Sequence, residues 1–418
     1  MEQPNQKTFC VAPWFQIRNQ NDMTKKVCCV IDNKTATAGN TFEHLNQSKN
    51  IDIKKNLHKG INDSACNKCW RDEGNGVKSL RQKLNGALLN NKQELVGTWI
   101  QSYFAHKQDW QSDRLLMADV KMGNTCNHAC IMCSPDDSSL VYNYWAKDKD
   151  NEFVKEVLDQ NPTYLEEVKK NNFKNNKYGN FINETIRKNP NLKVLKILGG
   201  EPLLDRKLLG YLSALDDSVK KTISILITTN GSIDLNAITK LLGNFKGIYY
   251  TVSLEGIGEV QEYARYGSDW KTLQKNLIGF ERSDTRNLDI TYVAQTATIL
   301  GFHDLAKWCK ENDLPLSMGV VNNPDYLGPN SLPNHIKQKV LKKCTDVKVD
   351  VSQNMLTDFE SVDVKKMLHN IERSKFNLAL YDKFKRYIKW YESSKPDITP
   401  LVAIFPELYD LDNQQGLV

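Results

Sequence analysis

The sequence contains no apolar run near the roughly 18 residues that a membrane span needs, so no membrane contact is expected. Its first ten residues, MEQPNQKTFC, lack the charged and apolar regions of a secretory signal, which makes a cytoplasmic location the expectation. Charge of one sign is also scarce. The 56 basic residues exceed the 50 acidic ones by a formal +6, too little over 418 residues to choose an acidic partner. A dense basic stripe with interleaved aromatics is missing, because the lysines of 163–188 are mixed with asparagines and a few acids. No nucleic-acid partner is therefore expected. Internal repeats and Gly/Ser-rich or Pro-rich linkers are absent too, and apart from His128 the histidines show no paired metal spacing. With 40% hydrophobic and 25% charged residues and a mean hydropathy of −0.54, the chain is a folded globular protein, long enough for two or three domains.

Cysteine is what the chain does have. In a reducing compartment ten cysteines argue for metal or cluster binding over a disulfide framework. Cys10, Cys28, Cys29, Cys66 and Cys69 lie in the first seventy residues, Cys126, Cys130 and Cys133 form a tight second set, and Cys309 and Cys344 stand alone. Cys309, in the helical pattern HDLAKWCKEN, reads as a small buried hydrophobe. Cys344 has lysine neighbours that lower a thiol pKa, which makes it the better hydrogen-atom donor of the two.

Residues 1–85 hold the first cysteine set among short apolar pieces and turns, and read as a small metal-stapled domain. Residues 86–113 read as a connector, following the four-residue spacing of Leu80, Leu84 and Leu88. From 114 to about 325 apolar segments (LLMADVKM, LKVLKIL, ISILITT, IYYTVSL, LDITYVAQTA and a weaker LPLSMGVV) alternate with helical patterns. That alternation predicts an α/β fold with a parallel sheet, and six units suit an open (β/α) barrel with its chemistry at the carboxyl ends of the strands. The stretch from Pro135 to Asn191, rich in Asn and Lys (KKNNFKNNKYGN), reads as a helical insertion, and residues 326–418 as a helical extension.

Two motifs carry chemistry. In GNTCNHACIMC the three cysteines follow the first core strand, spaced to hold three irons of a [4Fe-4S] cluster and leave the fourth open to a ligand. A zinc site using the same cysteines with His128 is the alternative. The second motif, GGEP at Gly199, Gly200, Glu201 and Pro202, directly follows the second core strand. Two glycines admit close backbone approach, and a carboxylate at a strand end can bind an ammonium group; a plain turn is the alternative. Thr229 and Asn230 end the third strand as ligand contacts or as a polar turn.

Together, CxxxCxxC after one strand and GGEP after the next make residues 115–320 resemble the radical S-adenosylmethionine (radical SAM) superfamily. The resemblance implies a partial (β/α)6 barrel in which Cys126, Cys130 and Cys133 hold the catalytic [4Fe-4S] cluster. SAM chelates the open iron and is cleaved on reduction to a 5′-deoxyadenosyl radical, which abstracts hydrogen from a substrate. It further implies that Gly199, Gly200, Glu201 and Pro202 hold the SAM amino group, that Ser253 lies near the ribose, and that Arg265 lies near the SAM carboxylate. Met132 stands where an aromatic residue is frequent, and Glu255 where an aspartate is common.

The amino-terminal set (CVAPW, CC, CNKCW) resembles the twitch or SPASM-type auxiliary-cluster modules of this superfamily, placed here before the core. It implies an auxiliary [4Fe-4S] cluster on Cys10, Cys66, Cys69 and either Cys28 or Cys29; a zinc ribbon-like site is the alternative. The resemblance implies a peptide or protein substrate and a reductant such as flavodoxin or ferredoxin. Radical modification of a small metabolite, nucleoside or sugar is the competing enzyme reading, and a non-catalytic zinc-binding scaffold the competing reading from another class.

Overall fold

The structure, a computed structural model, describes residues 7–74, 78–89, 110–121, 123–172, 182–321, 323–344, 368 and 371–413. Ten strands are present among them: β1 (Gln16–Asn19), β2 (Lys25–Lys26), β3 (Met117–Lys121), β4 (Ala129–Cys130), β5 (Val194–Leu198), β6 (Ser224–Thr229), β7 (Gly247–Ser253), β8 (Arg265–Tyr266), β9 (Arg286–Ala294) and β10 (Leu316–Val320). Eight of them form one sheet in the order β10-β9-β7-β6-β5-β3-β1-β2, while β4 and β8 pair in a short antiparallel ribbon. From β3 to β10 every neighbouring pair in the main sheet is parallel, and successive strands lie side by side. Helices follow each of these strands, so the core is the expected open run of six (β/α) units.

Local sequence explains the helices. Leu235–Leu242 starts at Asp234, whose carboxylate accepts from the backbone N–H of Asn236 and Ala237, and it buries Leu235, Ile238 and Leu242. It stops at Gly243, whose φ of 75° is open to a residue without Cβ.

The sheet has two unlike faces. One carries Ala118, Val120, Leu195, Ile197, Ile225 and Ile227, all buried. The other carries Asp119, Lys196, Thr228, Thr251 and Asp289, placed on one side by the register and the two-residue period. Arg18 of β1 pairs with Asp119 at 2.8 Å, and Thr251 donates to Asp289 at 3.0 Å on that side. A parallel sheet covered by helices on both sides is apolar on both. Here the polar face marks the side on which a ligand can be met.

Strand β1 brings the amino-terminal segment into the sheet, pairing parallel with β3 from Gln16↔Met117 to Asn19↔Val120. The QIRN stretch is too short, with one apolar residue, for periodicity to announce a strand. At the other end the helix Leu378–Ser393 lays down a buried aromatic face of Tyr381, Phe384, Tyr387, Trp390 and Tyr391. The expected connector and the KKNNFKNNKYGN segment fall largely outside the described residues.

Candidate functional site

The three-cysteine loop leaves the carboxyl end of β3. The Asn124 side chain donates to the Pro135 carbonyl at 2.8 Å, Ser138 to the His128 carbonyl at 2.6 Å, and the Cys126 N–H to Ser139 Oγ at 3.2 Å. Lys121 at the strand end reaches Asp136 and Asp137 beyond the last cysteine, at 2.6 and 2.7 Å. The carboxyl-terminal helix completes the frame: Tyr387 donates to the Ile131 carbonyl, and Tyr391 to the carbonyls of Ala129 at 3.2 Å and Tyr263 at 2.8 Å. Sequence reading missed these tyrosines, although their spacing on one helical face signals a buried stripe.

The GGEP turn is laced onto the same loop. The Gly200 N–H donates to the Gly123 carbonyl at 2.9 Å and the Glu201 N–H to the Thr125 carbonyl at 2.7 Å. A Cβ on Gly200 would collide with the backbone of Asn124 and Thr125, so this approach requires glycine. Glu201 is buried, with Oε1 accepting from the Leu203 N–H at 3.0 Å and from Thr229 Oγ1 at 2.8 Å, and Oε2 from the Asn230 N–H at 2.6 Å. Burial raises its pKa against the pull of those donors. Its carboxylate ties the ends of β5 and β6 together, along with the neighbouring Pro202 turn. Thr229 and Asn230 serve that tie, and Asn230 also donates to Asn127 of the cysteine loop at 2.8 Å.

The ribbon β4–β8 sets Cys130 opposite Arg265. Arg265 Nη1 lies 3.6 Å from Cys130 Sγ, and Nη2 is 2.7 Å from Glu255 Oε1. Glu255 is fully buried, and burial pushes its pKa up to about 7 against the lowering effect of Arg265. Its second oxygen accepts from the Val293 N–H at 3.2 Å, a span its side chain bridges between β7 and β9. The Cys130 thiol is held well below the ordinary range, chiefly by a hydrogen bond from Cys133 and then by the Arg265 charge and His128. Cys133 moves the other way, since it donates that bond and is buried. Burial and the neighbouring Cys130 push Cys126 up to about 11. The His128 ring is buried beside Cys130, and Arg265 Nε is unpartnered among the described residues. Ser253 is buried at the end of β7, opposite Thr291.

Cys10, Cys28, Cys66 and Cys69 line one cavity in the amino-terminal segment. Burial raises all four thiols, Cys10 to about 12, and mutual proximity adds to it for Cys10, Cys28 and Cys66. Cys29 faces elsewhere: the charges acting on it are Asp119, Lys196, Arg18 and Lys26, on or beside the polar face of the sheet. The clamps that assemble the set were not legible in the sequence. Arg81 binds Glu73 through Nε and Nη2 at 3.0 and 2.6 Å and donates to the Phe9 carbonyl at 2.8 Å, while Asn85 brackets Cys10 through Phe9 and Val11.

Both sets suit iron–sulfur clusters in the chemistry of their donors. Crowded buried thiols ionise poorly alone and readily on a cation that neutralises them. Among the described residues, no three His, Cys, Asp or Glu side chains are arranged to hold one metal ion. Cys309 and Cys344 are buried, and burial pushes Cys344 up to about 11 despite Lys343.

No protein-family model and no curated protein matches the chain. Solved structures similar to it include histidine-tagged anSMEcpe with bound AdoMet, at 18% identity over 55% of this chain and 57% of that one, TM-score 0.38. Another is Streptococcus suis SuiB bound to S-adenosylmethionine, at 16% identity over 70% and 60%, TM-score 0.34. A third is Streptococcus suis SuiB bound to precursor peptide SuiA, at 14% identity over 82% and 64%, TM-score 0.32. The chain thus spans less than two thirds of the length of each, and none reaches a TM-score of 0.5.

Proposed function

We propose that the chain is a radical SAM enzyme that cleaves S-adenosylmethionine at a [4Fe-4S] cluster held by Cys126, Cys130 and Cys133, and abstracts hydrogen from a peptide or protein side chain. The observation that carries this reading is the lacing of two motifs at the strand ends: GGEP is hydrogen-bonded directly onto the three-cysteine loop, with Gly200 pressed against its backbone. The cluster, when bound, supplies the electron for homolytic cleavage of SAM.

The chain's own residues fix what remains. Three thiols from one loop leave a fourth coordination position for SAM, in the manner of open catalytic sites. With the Glu201 carboxylate held by Leu203, Thr229 and Asn230, the GGEP segment receives the ammonium group of SAM. In this reading Ser253, buried at the end of β7, contacts the ribose. The polar sheet face, with Asp119, Lys196, Thr251 and Asp289, receives substrate, and burial of the strand ends keeps water from a radical.

The amino-terminal thiols Cys10, Cys28, Cys66 and Cys69 hold an auxiliary [4Fe-4S] cluster, with a flavodoxin or ferredoxin as electron source. The peptide class rests on the resemblance of this cysteine set to twitch and SPASM modules. Anaerobic reconstitution followed by dithionite, SAM and an assay for 5′-deoxyadenosine tests the reading. Release of 5′-deoxyadenosine supports it, and an assembled cluster that never cleaves SAM overturns it.

A further inference from the structure

We infer that Arg265 is a positioning residue acting through Cys130, a largely buried hydrogen-bond donor that raises the reduction potential of the cluster. The inference rests on the radical SAM reading above. It starts from the backbone, where the register of β4 and β8 places Arg265 directly opposite Cys130. Nη1 at 3.6 Å from Cys130 Sγ is within hydrogen-bonding range of sulfur, and Nη2 is taken by Glu255 at 2.7 Å. The partners are themselves fixed: Glu255 accepts from the Val293 N–H at 3.2 Å, while its own N–H donates to Gln261 Oε1 at 2.7 Å.

Nη1 and Nη2 each hold one partner, and Nε has none among the described residues. The guanidinium is buried, with its side chain 11% exposed and that of Glu255 0%. An electron added to the cluster spreads negative charge onto its thiolates, and a cation donating to one of them from a low-dielectric site stabilises the reduced form. Glu255 both aims Arg265 and offsets part of its charge.

The test uses the full-length reconstituted protein at pH 8, with the cluster potential followed by EPR and SAM affinity by equilibrium dialysis. Arg265→Met combined with Glu255→Gln removes both charges and leaves neither partner buried and unpaired. The reduced-to-oxidised ratio at a fixed ambient potential is expected to fall at least tenfold, about 59 mV for a one-electron couple. Glu255→Gln alone keeps the cation and loses its counter-charge, so the ratio is expected to rise. An unchanged potential in both variants overturns the inference whatever happens to SAM binding, and weakened SAM affinity with that unchanged potential returns Arg265 to the carboxylate. Failure of the wild-type protein to assemble a cluster at Cys126, Cys130 and Cys133 would overturn the radical SAM reading instead.

Discussion

The two cysteine centres are built by opposite routes. Cys126, Cys130 and Cys133 come from one short loop, and the fold's contribution is to lash that loop to the strand ends and to the carboxyl-terminal helix. Cys10, Cys28, Cys66 and Cys69 come from separate segments and meet because Arg81, Glu73 and Asn85 clamp those segments together. Their electrostatics differ at one thiol. In both sites burial and neighbouring thiols hold most of the cysteines up, and Cys130 alone is held down, by Cys133 and then by Arg265. In the proposed reading three thiols beside a polar sheet face make an open centre, and four thiols in a pocket otherwise lined by apolar side chains and Arg81 make a closed one.

Removing one ligand from each side puts the contrast at greatest risk. Cys130→Ala is expected to lower SAM cleavage on the order of a thousandfold, about 4 kcal/mol of barrier, while keeping the amino-terminal cluster. Loss of both clusters together would mean that the centres are not independent. Next, Cys28→Ser is expected to cost about four irons and Cys29→Ser none, since Cys28 alone of the two lines the pocket. Equal iron loss in both variants would contradict that assignment.

Smaller effects report how each region is held. In the amino-terminal segment His44 is buried and neutral, its pKa pushed down to about 4 by burial and by Lys25 and Lys54. Its folded pKa lies below the unfolded value, so its contribution is intact above about pH 6.5 and is lost as pH falls towards 4. At 1.36 kcal/mol per unit this is on the order of 3 kcal/mol, and His44→Gln is expected to flatten that slope in denaturant titrations at stepped pH. An unchanged slope would place the acid sensitivity elsewhere. In the core, Gly200→Ala is expected to cost about 1–3 kcal/mol through overpacking against Asn124 and Thr125, read as a lower denaturation midpoint. Tyr387→Phe removes one hydrogen bond to the Ile131 carbonyl and is expected to cost about 1 kcal/mol by the same measurement. No loss for Tyr387→Phe would mean that the carboxyl-terminal helix packs against the loop without steadying it.

How much of this the sequence disclosed follows the same division. Six core strands were legible because a buried parallel strand writes itself as a short apolar run, and LKVLKIL and ISILITT did so plainly. The three-cysteine loop and GGEP were legible as contiguous patterns. Strand β1 was not, because its partner β3 lies about a hundred residues away and QIRN carries little period of its own. Neither were the hydrogen bonds of Glu201 to Leu203, Thr229 and Asn230, which join segments about thirty residues apart. That Cys28 and not Cys29 lines the amino-terminal pocket was not legible either, because adjacent residues differ in what they line only once the chain is folded.

The proposed function stands or falls on two separate iron–sulfur centres, of which only the three-thiol one engages SAM. Iron and sulfide quantification with EPR in the presence and absence of SAM decides it, on the anaerobically reconstituted protein and on the Cys126→Ala/Cys130→Ala/Cys133→Ala variant. About eight irons are expected in the wild type and about four in the variant, with a SAM-dependent change of the EPR signal in the wild type alone. Zinc in place of iron, or a SAM-dependent signal that survives in the variant, would be incompatible with that division of labour.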